Sequence, residues 1–191
     1  QSPELPSTSH LSIVDAEGNI VSMTTSIETG FGSRVMVGGF LLNNQLTDFA
    51  FRPKDSDGKL VANAPAPGKR PRSSMSPTIV FEGQKPVLVI GSPGGARIIN
   101  YVARVILDTL GYQQPLSAAI ATPHIVDIGS KIELEPDAPE TWDTALEAKG
   151  HPVVRRAQTS GLSAIQIQYT DQAVYTGVAD PRREGTAESS Q

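Results

Sequence analysis

Thr8-Ser9-His10-Leu11-Ser12-Ile13-Val14-Asp15-Ala16-Glu17-Gly18-Asn19-Ile20-Val21-Ser22-Met23-Thr24-Thr25-Ser26-Ile27 is the stretch on which the fold turns. Residues 10–15 and 20–27 alternate polar and apolar side chains on either side of Ala16-Glu17-Gly18-Asn19, the pattern of two antiparallel strands joined by a short turn. This hairpin sets Thr8 at a strand entrance. A threonine hydroxyl is a weak nucleophile near neutrality, and one remedy is a base supplied by the residue's own α-amino group. That amine exists only once the Ser7–Thr8 bond is broken, so any such activity is latent in the uncut chain.

Downstream, Phe40-Leu41-Leu42 runs into the polar Asn43-Asn44-Gln45, which reads as a strand entering a turn or functional segment. Residues 51–72 carry four prolines and no periodicity, as expected of a long surface loop. Residues 77–81 and 86–91 form a second predicted hairpin around Glu82–Lys85. It ends in Gly91-Ser92-Pro93-Gly94-Gly95, and a helix follows at once. Ile98, Val102, Val105, Ile106 and Leu110 make one apolar stripe, Arg97, Asn100, Arg104 and Asp108 the polar side, and Gly111 the stop. Short helices are predicted from Pro115 to Ala121 and from Pro139 to Lys149, with strands at 131–135, 162–169 and 173–178. Consecutive hairpins and helices point to α+β, with antiparallel sheets and helices packed on them, rather than an alternating parallel fold. The polar segment after Pro181 is expected to fray.

A chain of 191 residues with 38% hydrophobic and 19% charged residues and a net charge of -4 suits one ordinary domain or half of a split one. It has no basic stripe for phosphate backbones, so nucleic acid is not an expected partner. No apolar run approaches the roughly 20 residues of a membrane span. With no cysteine, thiol chemistry, disulfides and cysteine-ligated metal sites are excluded, and the three histidines lack metal-ligand spacing.

Three groups suggest chemistry. Backbone N–H groups of Gly94 and Gly95 at a helix start suit an oxyanion. Ser73 and Ser74 present adjacent hydroxyls suited to a carboxylate. Asn43, Asn44, Gln45 and Asp48 offer amide oxygens and an ionised carboxylate for an ammonium group. His10 stands two residues from Thr8, but a shared strand face does not force hydrogen-bond reach, and the α-amine already fills the base role. His124 and His151 read as surface or turn residues, and Trp142 as packing.

In order along the chain, these segments resemble the small subunit of the γ-glutamyltransferases, members of the N-terminal nucleophile (Ntn) hydrolases. The resemblance rests on Thr8-Ser9-His10, Val14-Asp15 with Gly18-Asn19, Phe31-Gly32, Leu41-Leu42-Asn43-Asn44-Gln45 with Asp48-Phe49, Lys69-Arg70-Pro71 with Ser73-Ser74-Met75-Ser76-Pro77-Thr78-Ile79-Val80, Gly91-Ser92-Pro93-Gly94-Gly95 with Arg97-Ile98, Leu146-Glu147-Ala148-Lys149-Gly150, and Ala179-Asp180-Pro181-Arg182. It implies an αββα sandwich of which this chain is the small-subunit half. Residues 1–7 would be the tail of the large-subunit region and 8–191 the catalytic domain.

The resemblance also implies roles. Thr8 would cleave the chain after Ser7 and then act as nucleophile, with Ser26 hydrogen-bonded near it and Gly94 and Gly95 as the oxyanion hole. Gln45 and Asp48 would hold the substrate ammonium, and Ser73 and Ser74 its carboxylate. Glu28 replaces an asparagine often found at that ammonium contact, and the 51–68 region aligns with a lid but is shorter and lacks tyrosine. No cofactor or metal is implied. Implied partners are the large subunit of the same precursor, a small γ-glutamyl donor and an amine or water acceptor. Self-association of the chain alone is expected through its uncovered surface. Two alternatives stay open: a glutaryl or cephalosporin-type acylase of the same family, and a non-catalytic domain kept for assembly or binding.

Overall fold

The computed structural model describes residues 8–129 and 131–189; the 1–7 segment, including Ser7, lies outside them. The elements run β1 (Thr8–Val14), β2 (Ile20–Ser26), β3 (Met36–Val37), β4 (Phe40–Leu41), β5 (Thr78–Glu82), β6 (Lys85–Gly91), α1 (Ile98–Ile106), α2 (Leu116–Ala121), β7 (Ile125–Asp127), β8 (Ile132–Leu134), α3 (Glu140–Glu147), β9 (Val153–Arg155), β10 (Ser163–Tyr169) and β11 (Ala173–Ala179). They divide into two compact units. One comprises Thr8 and Thr25–Ser74, the other Ser9–Thr24 and residues from 75 onward.

The larger unit is layered around a four-stranded antiparallel sheet of order β11-β10-β6-β5. Strand alternation sends Leu88, Ile90 and Ala164 to one face, where they meet Ile98, Tyr101, Val102 and Val105 of α1 and Leu116, Ala119 and Ile120 of α2. Each such aliphatic side chain, once fully buried, contributes about 1.5–3 kcal/mol. The other face carries Val89 and Gly91 and meets the hairpin. Ser12 Oγ donates to the Ser163 carbonyl at 3.0 Å, Ser22 Oγ to the Ile90 carbonyl at 3.2 Å, and the His10 ring lies on Gly91. A hairpin layer, a sheet layer and a helix layer result, with the expected hairpins in place.

The hairpin's alternation is inverted relative to a simple apolar-inside rule. His10, Ser12, Ser22 and Thr24 face the sheet, whereas Ile13, Val21 and Met23 stand on the outer face at 50%, 46% and 45% exposure. Its turn is tied by Asp15, whose carboxylate accepts the Asn19 backbone N–H and side-chain amide, both at 2.7 Å, while Gly18 takes φ 83°.

The second sheet, β7-β8-β9, mixes directions. β7 and β8 are antiparallel, but β8 and β9 run parallel. The parallel pair follows from connectivity, because α3 forms the crossover between them, the linkage parallel strands require. Ile132, Leu134 and Ala138 form its core, with Trp142 and Leu146 of α3 packed against it, so Trp142 is packing as expected. Beyond Ile106, α1 continues as a π-helical turn, Leu107–Gly111, before Gly111 ends it.

Three expectations are corrected here. His124 is fully buried rather than on the surface, bridging Arg104 and Ser160. Arg104 pairs with Asp108 along the expected polar side of α1, but that side is covered rather than open, its guanidinium also donating to the carbonyls of Ala119 and Thr122. The segment after Pro181 is anchored at its start: the Arg182 guanidinium pairs with both carboxylate oxygens of Glu135 and with Asp180. His151, by contrast, is exposed as expected.

In the smaller unit, β3 and β4 make a two-residue-per-strand hairpin over Gly38-Gly39, followed by a 3-10 turn, Gln45–Asp48. Residues 51–72 hold no helix and only an isolated bridge, Lys54 to Leu60. Lys69 Nζ donates to the carbonyls of Ala62 and Ala64, the latter at 3.0 Å, which pins this loop to itself.

Candidate active site

Thr8 opens β1 as a residue 9% exposed, and its Oγ1 lies 2.9 Å from Ser26 Oγ. Ser26 Oγ also accepts the backbone N–H of Glu28 at 2.9 Å. With that lone pair engaged, the Ser26 hydroxyl can still donate its proton to Thr8 Oγ1, or accept from Thr8 through its second lone pair. Glu28 delivers its N–H by adopting φ 75°, a left-handed conformation uncommon for a glutamate and found where surrounding structure imposes it. Gln45 Nε2 donates to the Ser26 carbonyl at 3.3 Å and fixes the strand end from the other side.

Gln45 Oε1 is buried and has no hydrogen-bond partner among the described residues. An acceptor in that state is costly unless a donor arrives. Burial and then the nearby Asp48 charge raise the Glu28 carboxyl above the ordinary carboxylate range. Two carboxylates and one buried amide oxygen with no hydrogen-bond partner among the described residues form an acceptor set matched to an ammonium group. Asn63 braces this set: its Nδ2 donates to the Asp48 carbonyl at 2.6 Å and its Oδ1 accepts the Arg72 N–H at 3.0 Å, just before Ser73 and Ser74. Ser73 is exposed and Ser74 half-buried. Asn44 closes the turn, accepting both the N–H and the hydroxyl of Thr29 at 3.1 Å. Gly32 has no room for a side chain, since a Cβ would stand 2.2 Å from the Leu42 carbonyl oxygen. This unit therefore brings Thr8, Ser26, Glu28, Gln45 and Asp48 into one cluster.

The larger unit holds Gly94 and Gly95. Their φ angles, 139° and 61°, are open to glycine and strained for other residues, and they turn the chain from β6 into the 3-10 turn Gly95–Arg97 and α1. Amides at such a helix entrance are not consumed by the helix itself. A Cβ on Gly94 would lie 2.5 Å from Tyr101 Cε2. Arg97, three residues on, forms a bidentate pair with the buried Glu133 at 2.5 and 2.8 Å, whose carboxyl is thereby held down to about 2.

Sequence reasoning missed this pair. One signal was available: a cation in the first turn of a helix is electrostatically disfavoured and needs a partner to hold it there. His10, also in this unit, has both ring nitrogens engaged, Nδ1 with Thr24 Oγ1 at 2.8 Å and Nε2 with Ser12 Oγ at 3.1 Å, and burial lowers its pKa to about 4.

A family model described as gamma-glutamyltranspeptidase matches residues 1–190. The chain belongs to the gamma-glutamyltranspeptidase family. The glutathione hydrolase proenzyme of Bacillus subtilis (strain 168) is 40% identical over 184 residues, covering 94% of this chain and 30% of that proenzyme. The crystal structure of a Helicobacter pylori gamma-glutamyltranspeptidase mutant matches with a TM-score of 0.82 at 36% identity, covering 91% of this chain and 99% of that one. An acylase proenzyme of Pseudomonas sp. (strain SE83) is 32% identical over 185 residues, covering 96% of this chain and 32% of that proenzyme. This member of the gamma-glutamyltranspeptidase family thus spans about a third of the length of the curated relatives it matches, and its fold is the α+β fold of the Ntn hydrolases. Among the described residues of this gamma-glutamyltranspeptidase family chain, no helix is long and apolar enough to cross a membrane.

Proposed function

We propose that the protein containing this chain transfers or hydrolyses γ-glutamyl groups through an acyl-enzyme on Thr8, formed after autocatalytic cleavage between Ser7 and Thr8. The observation that carries the proposal is the Thr8–Ser26 contact, 2.9 Å between hydroxyl oxygens, in the same unit as the acceptor set of Glu28, Gln45 and Asp48.

In the cleavage step Thr8 Oγ adds to the Ser7 carbonyl, the C–N bond breaks, and the acyl group moves to oxygen while the nitrogen becomes the Thr8 α-amine. Water then hydrolyses the ester and releases Thr8 as a first residue. Its amine, with an unperturbed pKa of about 7.7 to 8.0, accepts the hydroxyl proton as Thr8 Oγ attacks the donor's γ-carbonyl. The amine returns that proton to the leaving nitrogen as the amide C–N bond breaks. Water or an acceptor amine then attacks the Thr8 ester.

Ser26 orients the Thr8 hydroxyl, and the Gly94 and Gly95 amides stabilise the tetrahedral oxyanion, a contribution typically worth about 2.7–4 kcal/mol for a single donor. Glu28, Gln45 and Asp48 take the donor's ammonium, and Ser73 and Ser74 its carboxylate. The 51–68 loop carries no tyrosine, and with less cover over the acyl-enzyme water competes with the acceptor amine. The partner is the large-subunit portion of the same precursor. The outer hairpin face with Ile13, Val21 and Met23 supports that assignment, being an apolar surface of the kind a partner covers.

An acylase reading fits the site less well. A glutaryl group has no ammonium and would leave Glu28, Asp48 and Gln45 Oε1 without a counterpart. Comparing γ-glutamyl and glutaryl p-nitroanilides on the processed full-length protein tests this: γ-glutamyl is expected to be preferred, and preference for glutaryl would overturn the proposal.

A further inference from the structure

Gly94 is held from behind by a chain of buried side chains that the chemistry above does not use. The Tyr101 ring lies against its Cα, close enough that a Cβ there would meet ring carbons Cε2 and Cδ2 at 2.5 and 3.2 Å. Tyr101 is fully buried, and its ring is fixed at two further points. The His124 ring lies beside it at 4.2 Å between centroids, and its phenol donates to Gln158 Oε1 at 2.7 Å. Gln158 in turn donates through Nε2 to Glu133 Oε2 at 3.3 Å and to the Arg156 carbonyl at 3.1 Å. Glu133 grips Arg97, whose own N–H returns to the Gly94 carbonyl at 3.4 Å. The links form a closed ring that begins and ends at the glycine turn.

A glycine pair is the most deformable element in a chain, yet an oxyanion hole works only if its donors are already in place when charge develops. Something must supply the rigidity that the glycines lack. Resting on the γ-glutamyl reading above, we propose that Tyr101, anchored by Gln158 and the Glu133–Arg97 pair, is a positioning residue that holds the Gly94–Gly95 amides for the tetrahedral intermediate. Ring contact sets where the Gly94 peptide sits, and the phenol hydrogen bond sets the tilt of the ring. Removing only the hydroxyl frees the tilt while leaving the packed aromatic in place.

The test uses the full-length protein, processed and active-site titrated, with γ-glutamyl p-nitroanilide as donor and a boronic acid analogue of the donor as a probe of the tetrahedral state. For Tyr101→Phe, kcat is expected to fall about 10-fold, within the roughly 100-fold that a 1 Å misplacement can cost. KM stays within about twofold, because the ammonium and carboxylate contacts are untouched. Boronate affinity should fall in parallel with kcat. Tyr101→Leu, which removes the ring as well, should lose more. Tyr169→Phe serves as control, since that phenol donates to the Pro86 carbonyl at the surface, and its kcat should equal that of the wild type.

Wild-type kcat and boronate affinity in Tyr101→Phe would overturn the inference, as would a loss accounted for entirely by a smaller titratable fraction. A wild-type protein without turnover would remove the γ-glutamyl reading and this inference together. An active wild type with an equally active Tyr101→Phe removes only the inference.

Discussion

Lowering the pH from 6.5 to about 4.5 should destabilise the fold through His124, and the size of the effect follows from its surroundings. Arg104 Nη2 can only donate, so His124 Nδ1 must accept at 3.2 Å; Nε2 therefore carries the proton and donates to Ser160 Oγ, which donates to Asp180 Oδ2 at 2.5 Å. A second proton would have to enter at Nδ1, facing a guanidinium. Burial first, then the Arg104 and Arg182 charges, lower the His124 pKa from 6.5 to about 2. In the unfolded chain the imidazole titrates normally. A folded pKa below the unfolded one makes the neutral form's stability complete above pH 6.5 and lost as pH falls. Over this interval the unfolded state takes up a proton that the folded state refuses, a loss of about 2.3 kcal/mol.

Urea denaturation followed by circular dichroism at both pH values, for wild type and His124→Gln, isolates this contribution. The variant's constant defect cancels in the pH difference, as do His10 and the carboxylates. Wild type should lose about 2 kcal/mol more than His124→Gln on acidification. Equal losses would refute the reasoning and mean that His124 is protonated without difficulty in the folded protein.

Glu28→Gln should raise the donor KM. It should also flatten the acid limb of kcat/KM, because in the wild type the Glu28 carboxyl, raised by burial and Asp48, becomes protonated early as pH falls and stops attracting the ammonium. Steady-state kinetics across pH checks this. Gly91→Ala should destabilise the fold by about 1–3 kcal/mol, since its Cβ would stand 2.2 Å from His10 Cε1 between two packed layers; urea titration gives the value. The chain on its own should self-associate through the outer hairpin face, and Val21→Thr with Met23→Thr should reduce that association in sedimentation velocity.

Local patterns carried much of the fold. The Asp15–Asn19 turn, the two hairpins and the α1 stripe were legible because strand alternation, turn residues and helical spacing act over neighbouring residues. What was not legible depends on partners distant in sequence. Alternation revealed the first hairpin but not which face is inside: His10, Ser12, Ser22 and Thr24 turn toward the sheet because backbone carbonyls and Gly91 receive them there. β7 and β9, three residues each, are too short for a period to show. His124, Arg104 and Arg182 looked like surface residues because the groups that receive them, Ser160 for the imidazole, the Ala119 and Thr122 carbonyls for Arg104 and the Glu135 carboxylate for Arg182, come alongside only after folding.

In the candidate site, residue types suggested an ammonium pocket at Gln45 and Asp48. The unpaired Gln45 Oε1 and the left-handed Glu28 that feeds its N–H to Ser26 arise only once the backbone is folded. Arg97, at a helix start where a cation is disfavoured, was the one visible hint of the Glu133 pair.

The central claim is that Thr8 becomes a nucleophile only by becoming a first residue. Intact-mass and peptide mass spectrometry of the full-length protein, before and after exposure to a γ-glutamyl donor followed by acid quench, tests it directly. The predicted result is a fragment beginning at Thr8 that gains the mass of one γ-glutamyl group on that residue. An uncut Ser7–Thr8 bond in a protein that still turns over the donor, or an acyl group on any residue other than Thr8, would contradict it.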